Sequence, residues 1–166
     1  MKVAVCAALL VLAGCASFEG RDLVPGQSTE VQVVTGMGRP SQEIDLPGGG
    51  KALYFSRLPY GRAIYKATLD GEGVLRGIEQ TLVPEKIRSI EADKTTKEQV
   101  RELLGPPYRM SRGPIKPLDV WEYWWRNAED RRILWVSFSD DGVAREVLDM
   151  HDYQSDPPSG GRDRSK

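Results

Sequence analysis

Landmarks in the second half of this chain repeat those of the first at an offset that stays between 67 and 69 residues. Ser28-Thr29 corresponds to Thr95-Thr96, and Val33 to Val100. Met37-Gly38-Arg39-Pro40 falls on Leu104-Gly105-Pro106-Pro107, and Leu53-Tyr54-Phe55 on Trp121-Glu122-Tyr123. Asp70-Gly71-Glu72-Gly73-Val74 falls on Ser139-Asp140-Asp141-Gly142-Val143. So small a drift points to a duplicated unit and restricts the chain to two copies of one local architecture.

Each unit reads as a helix followed by strands. In the second, Thr95 is a suitable N-cap and Glu98 completes a capping box. Val100, Leu103 and Leu104 form one apolar stripe, and Gly105 with Pro106-Pro107 ends the helix. The first unit offers Ser28 as the cap but Val31 in place of the glutamate, and carries Gly36, so its helix is expected to be the poorer. Gly- and Pro-rich loops follow in both. Strands are expected over 52–57, 63–69 and 74–82, and again over 120–126, 132–139 and 143–150, the last pair turned by Asp140-Asp141-Gly142. The expected fold class is therefore α+β: two tandem units, each a short helical layer packed on a three-stranded antiparallel sheet. The expected boundaries are 23–83 for the first repeat, 84–154 for a linker helix and the second repeat, and 155–166 for a disordered tail.

The N-terminus carries a different message. Lys2 precedes an apolar run from Val3 to Leu12, closed by Leu12-Ala13-Gly14-Cys15. This resembles the lipobox of bacterial lipoproteins, which implies removal of residues 1–14 and lipidation of Cys15. The bland alternative is an ordinary secretory leader with a chance cysteine. The run is too short to span a bilayer, which takes about 20 apolar residues. Two hydrophobic chains on one cysteine would make anchoring stable. Ala16 is not the aspartate that signals inner-membrane retention in such proteins, so the implied address is the periplasmic face of the outer membrane. Residues 15–22 form the lipidated end and its tether, a leash of roughly 25 Å when extended.

Composition narrows the function classes. The formal net charge is −1, and about −2 without Lys2, which gives nucleic acid no basic surface to bind. Cys6 leaves with the leader and Cys15 is spent on lipid, so no disulfide is expected. No metal pair, cofactor loop or cysteine nucleophile is present. A Ser–His–Asp site would have His151 as its sole base, and that residue reads as a solvated position just past the last expected strand. No catalytic residue, metal or cofactor is assigned, and the chain is expected not to be an enzyme.

The lipobox, the run Leu-x-Pro-Gly-x-Ser-Thr from Leu23 to Thr29, a short helix ending Gly-x-Pro, an aromatic strand and an Asp-Gly-x-Val hairpin together resemble the SmpA/OmlA family of BamE-like outer-membrane lipoproteins. The doubling resembles the tandem architecture of the β-lactamase inhibitor protein. The resemblance implies a non-catalytic, protein-binding role in envelope assembly or maintenance. The implied partners are the membrane, through Cys15, and the β-barrel assembly complex or an outer-membrane protein. The alternative it implies is a periplasmic inhibitor of a hydrolase.

All four tryptophans lie in the second unit. Alternation sets Trp121, Tyr123 and Trp125 on one face with Leu134, Val136 and Phe138, and Glu122, Trp124, Arg126 and Trp135 on the other. The first set is expected to face the helix. Trp124 and Trp135, with Glu122 and Arg126, are the candidate protein-binding residues, since tryptophan and arginine dominate contact hot spots. The same rings would suit lipid headgroups, or fill the joint between the units. Tyr54, Phe55, Tyr60 and Tyr65 are the first unit's counterpart. Arg109, Arg112 and Lys116 read as solvated loop cations.

Overall fold

The computed structural model describes residues 19–113, 117–128 and 130–155. Its elements run α1 (Glu30–Met37), β1 (Gln42–Asp45), β2 (Lys51–Ser56), β3 (Ile64–Leu69), β4 (Leu75–Gln80), α2 (Pro84–Arg88), α3 (Lys97–Leu104), β5 (Arg109–Arg112), β6 (Asp119–Asn127), β7 (Asp130–Phe138) and β8 (Ala144–His151), with a closing 3-10 turn at Tyr153–Ser155. The strands form two four-stranded antiparallel sheets, ordered β1-β2-β3-β4 (sheet 1) and β5-β6-β7-β8 (sheet 2). This corrects the expected α+β class. The chain is mostly β, its sheets have four strands rather than three, and single two-turn helices take the place of helical layers. The missed strands, β1 and β5, are four-residue edges with sequences QEID and RMSR. They lack the apolar alternation that marks a strand, so they read as loop.

The helix starts also shift by one residue. Thr29 and Thr96, not Ser28 and Thr95, are the N-caps, and Gln32 and Gln99 close the capping boxes. The amides of Thr29 and Thr96 donate to the glutamine Oε1 atoms at 2.8 and 2.9 Å. The hydroxyls of Ser28 and Thr95 close the preceding loop, accepting from the amides of Val24 and Glu91 at 2.9 Å each. Each cap site therefore holds two adjacent hydroxyls with separate tasks. With the box intact in both units, the first helix is not the worse capped.

The correspondence reaches into the cores. Val33, Met37, Leu53, Phe55, Ala67, Leu69 and Leu75 form a buried cluster between α1 and the inner face of sheet 1. Their counterparts Val100, Leu104, Trp121, Tyr123, Val136, Phe138 and Ala144 are buried between α3 and sheet 2. A ladder irregularity recurs at Thr68/Leu69 and Ser137/Phe138, and an isolated bridge at Thr29–Val74 and Thr96–Val143. One ion pair recurs with its signs exchanged. Glu30 of α1 pairs with Lys51 of β2, while Lys97 of α3 pairs with Asp119 of β6.

The second core is larger because it includes the joint. Ala52, Tyr54, Ile64 and Leu82, from the back of sheet 1 and the segment after it, join the α3–sheet 2 cluster together with Ile87 and Ile90. The C-terminal turn of α3 is held from both sides. Tyr54 and Thr81 donate hydroxyl hydrogen bonds to the carbonyls of Glu102 and Leu104, and Tyr123 donates to that of Gly105 at 3.1 Å. Gly105 has φ +87°, and a Cβ there would lie 2.7 Å from Tyr54 Cδ1 and 3.1 Å from Ile64 Cγ2. Only glycine fits between sheet 1 and α3 at this point. Burial pushes the Tyr54 phenol up to about 12, helped by the charges of Glu102 and Glu79. Burial raises Tyr123 as well.

Candidate functional site: the outer face of sheet 2

Trp121 and Tyr123 are buried with α3, and Trp125 beside Pro84 and Ile87 of α2, on the same face as Leu134, Val136 and Phe138, the side expected from alternation. The opposite face of sheet 2 is the outer one. Across it Arg109, Glu122, Trp135 and Leu148 stand side by side in register on β5, β6, β7 and β8. Trp124 follows two residues after Glu122 on β6, opposite Ile133, which in turn faces Met150.

Glu122 organises the face. Its Oε1 accepts from the indole of Trp124 at 2.6 Å, and its Oε2 from the indole of Trp135 at 3.0 Å. Each ring is thereby held by its N–H edge, with Glu122 between the two. Trp135 and Leu148 are 37 % and 47 % exposed. Trp124 is partly buried: the guanidinium of Arg62 lies 5.1 Å from its centroid and the Tyr108 ring 5.3 Å away. Arg62 comes from the β2–β3 loop, so Trp124 stands both on the outer face and at the joint. Arg62 is itself buried and pairs with buried Asp152.

Arg126 is exposed and in register with Arg131, apart from the two-indole arrangement. Arg109 and Arg112 lie in β5 rather than in a loop. Arg112 pairs with Asp119 and Asp140, and the Arg109 guanidinium lies 5.6 Å from the Tyr108 centroid. Lys97 first and Arg112 second hold the Asp119 carboxyl below the usual range. Cys15 and Lys116 lie outside the described residues.

His151 is not a solvated residue beyond the last strand. It ends β8, its Nδ1 2.5 Å from Asp130 Oδ1 and its ring edge-on to Tyr153. Arg132, then His151, hold the Asp130 carboxyl low. Arg132 also pairs with Asp149, which accepts from the Trp125 indole at 3.0 Å. β6 and β7 run nine residues against six in β2 and β3, and this cluster occupies the extension. It has no counterpart in the first unit, so the repeat gave no signal for it. Among the described residues no group of His, Cys, Asp and Glu could hold a metal ion, and no helix is long and apolar enough to cross a membrane.

Comparison with known proteins adds little. No family model matches the chain, and no curated protein matches it. A solved structure of a DUF4309 family protein (YjgB) from Bacillus subtilis is similar over 80% of this chain and 84% of that one, at 17% identity and a TM-score of 0.31. A likeness that slight assigns neither fold nor function.

Proposed function

We propose that this chain is a lipid-anchored protein of the outer-membrane periplasmic face that works by binding another envelope protein, as the SmpA/OmlA resemblance implies. The observation that carries the reading is the composition of the outer face at its rim. Where sheet 1 has Lys66 beside Glu79 in its solvent-edge positions, sheet 2 has Trp135 beside Leu148 in the same register. A face meant only for water favours the charged pair. Exposed tryptophan beside leucine suits a protein contact.

The tether supports protein over lipid as what meets this face. Gly20 is buried, and a Cβ on it would lie 2.5 Å from Ile78 Cδ1 and 3.1 Å from Met37 Sδ. Gly20 is thus seated against the core of sheet 1, and Leu23 packs on the same core. Only residues 16–19 then separate Gly20 from Cys15, a reach of about 17 Å. The anchor is thus tied to the first unit, while Trp135 and Leu148 stand exposed on the face of sheet 2 opposite α3.

The test is a cross-linked pull-down of the lipidated protein from intact cells, with Cys15→Ala and Leu148→Lys as comparisons. Barrel-assembly components or an outer-membrane protein should be recovered with the wild type and lost with both variants. Equal recovery with Leu148→Lys would remove this face from the reading, and equal recovery with Cys15→Ala would remove the anchor. A periplasmic hydrolase in the eluate would put the inhibitor reading first instead.

A further inference from the structure

The two units carry the same face in two states, one docked and one free, and their difference reports what the free one accepts. The back of sheet 1 docks on the C-terminal turn of α3. It meets that turn's carbonyls with donors: the Tyr54 hydroxyl on Glu102 and the Thr81 hydroxyl on Leu104. Donors suit a helix C-terminus, whose last carbonyls lack partners and carry partial negative charge.

Sheet 2 keeps neither donor. Glu122 replaces Tyr54 and Met150 replaces Thr81, so the central donor becomes an anionic acceptor and the second donor disappears. Ile133 matches Ile64, while Trp135 and Leu148 replace Lys66 and Glu79. A second copy docking by the internal mode would bring the C-terminal carbonyls of its α1 onto the Glu122 carboxylate, acceptor against acceptor. The joint is head-to-tail, a geometry that extends into open chains unless something stops it. Glu122 disfavours that extension, because it sets an anionic acceptor against the carbonyls.

Glu122 is also electrostatically incomplete. It is half-buried and accepts from two neutral indoles, yet among the described residues it pairs with no cation. Its cross-strand neighbour Arg109 has its guanidinium by the Tyr108 ring. A partly desolvated carboxylate is stabilised by a cation with which it shares charge-assisted hydrogen bonds, and each of its oxygens keeps a lone pair for one.

We propose that the outer face of sheet 2 receives a polypeptide segment presenting a lysine or arginine to Glu122, flanked by apolar side chains that cover Trp135 and Leu148. This rests on the reading of that face as a protein-contact surface. It adds the charge of the partner and disfavours a second copy docked in the internal mode.

The experiment uses the full lipidated protein in detergent and immobilised amphipathic peptides identical except for a central Arg, Lys, Gln or Glu. The Arg and Lys peptides should bind about tenfold more tightly than the Gln peptide, and the Glu peptide least. Glu122→Gln should erase that preference. Glu98→Gln, the same charge change on the exposed side of α3, should keep it. Should Glu122→Gln disturb folding, Leu148→Lys gives the second reading: it adds a cation at the exposed rim and should weaken the Arg and Lys peptides most. Binding that ignores the central residue would keep the contact surface and overturn the cation. No binding to any peptide would overturn both. Self-association of the wild type through this face, seen by sedimentation and abolished by Leu148→Lys, would assign the face to a second copy and also overturn the proposal.

Discussion

The phenol of Tyr54 sits where the two units meet, its ring against Gly105 and its hydroxyl on the Glu102 carbonyl. Burial disfavours the phenolate, so the folded chain holds its proton to about pH 12 while the unfolded chain releases it near 10. Tyr54 therefore lends its full stability below pH 10, and that contribution is lost as pH rises towards 12. Urea midpoints measured from pH 8 to 12 should be level at first and then fall. Tyr54→Phe should be about 1 kcal/mol less stable at pH 8 and fall less steeply above pH 10. Equal slopes would mean that the phenol is not buried at the joint. Nothing in the sequence marks Tyr54 for this task, because alternation sets it opposite Leu53 and Phe55 without saying what lies on that side. For Trp121 and Tyr123, the same rule was enough, since each unit has one helix for its inner face to cover. Glu122 was legible as a neighbour of Trp124 and Trp135, but not as the acceptor that holds both, which depends on cross-strand register.

Both eight-residue helices end at a glycine with φ +87°, Gly38 and Gly105, and what surrounds the two differs. A Cβ at Gly38 would meet nothing within 4 Å, whereas one at Gly105 would strike Tyr54 and Ile64. Gly38→Ala should then cost about 1–3 kcal/mol from backbone strain alone. Gly105→Ala should cost that and about 1–3 kcal/mol more from overpacking. Chemical denaturation of the two variants measures the difference, and equal losses would show that α3 does not press on sheet 1. The stops themselves could be read from Gly-x-Pro and Gly-Pro-Pro. The starts could not be read to the residue, since Ser28-Thr29 and Thr95-Thr96 each offer two capping hydroxyls. β1 and β5 were illegible for a plainer reason: a four-residue edge strand with a single apolar side chain, Ile44 or Met110, shows no alternation to read.

Across the whole molecule, the buried pair of Arg62 and Asp152 ties the β2–β3 loop to the segment after β8, ninety residues on. Neither partner suggests the other in the sequence, and long-range ion pairs of this kind have no local pattern. Arg62→Met should cost about 3–5 kcal/mol, because it leaves Asp152 charged and buried. Adding Asp152→Leu should recover much of that loss, and calorimetry of the single and double variants checks it. A double variant worse than the single would mean that Asp152 has a more important partner elsewhere. The repeat itself was the most legible feature at this scale, and it brings a hazard of its own. Two helices of equal length, with matching caps and stops, present themselves to two similar sheets while the chain is still collapsing. The exchanged ion pair separates them. Were α1 to settle on sheet 2, Glu30 would face Asp119, and α3 on sheet 1 would set Lys97 against Lys51. Each wrong partnership is repelled and each right one attracted, so the charges favour the native pairing of near-identical parts over the exchanged one.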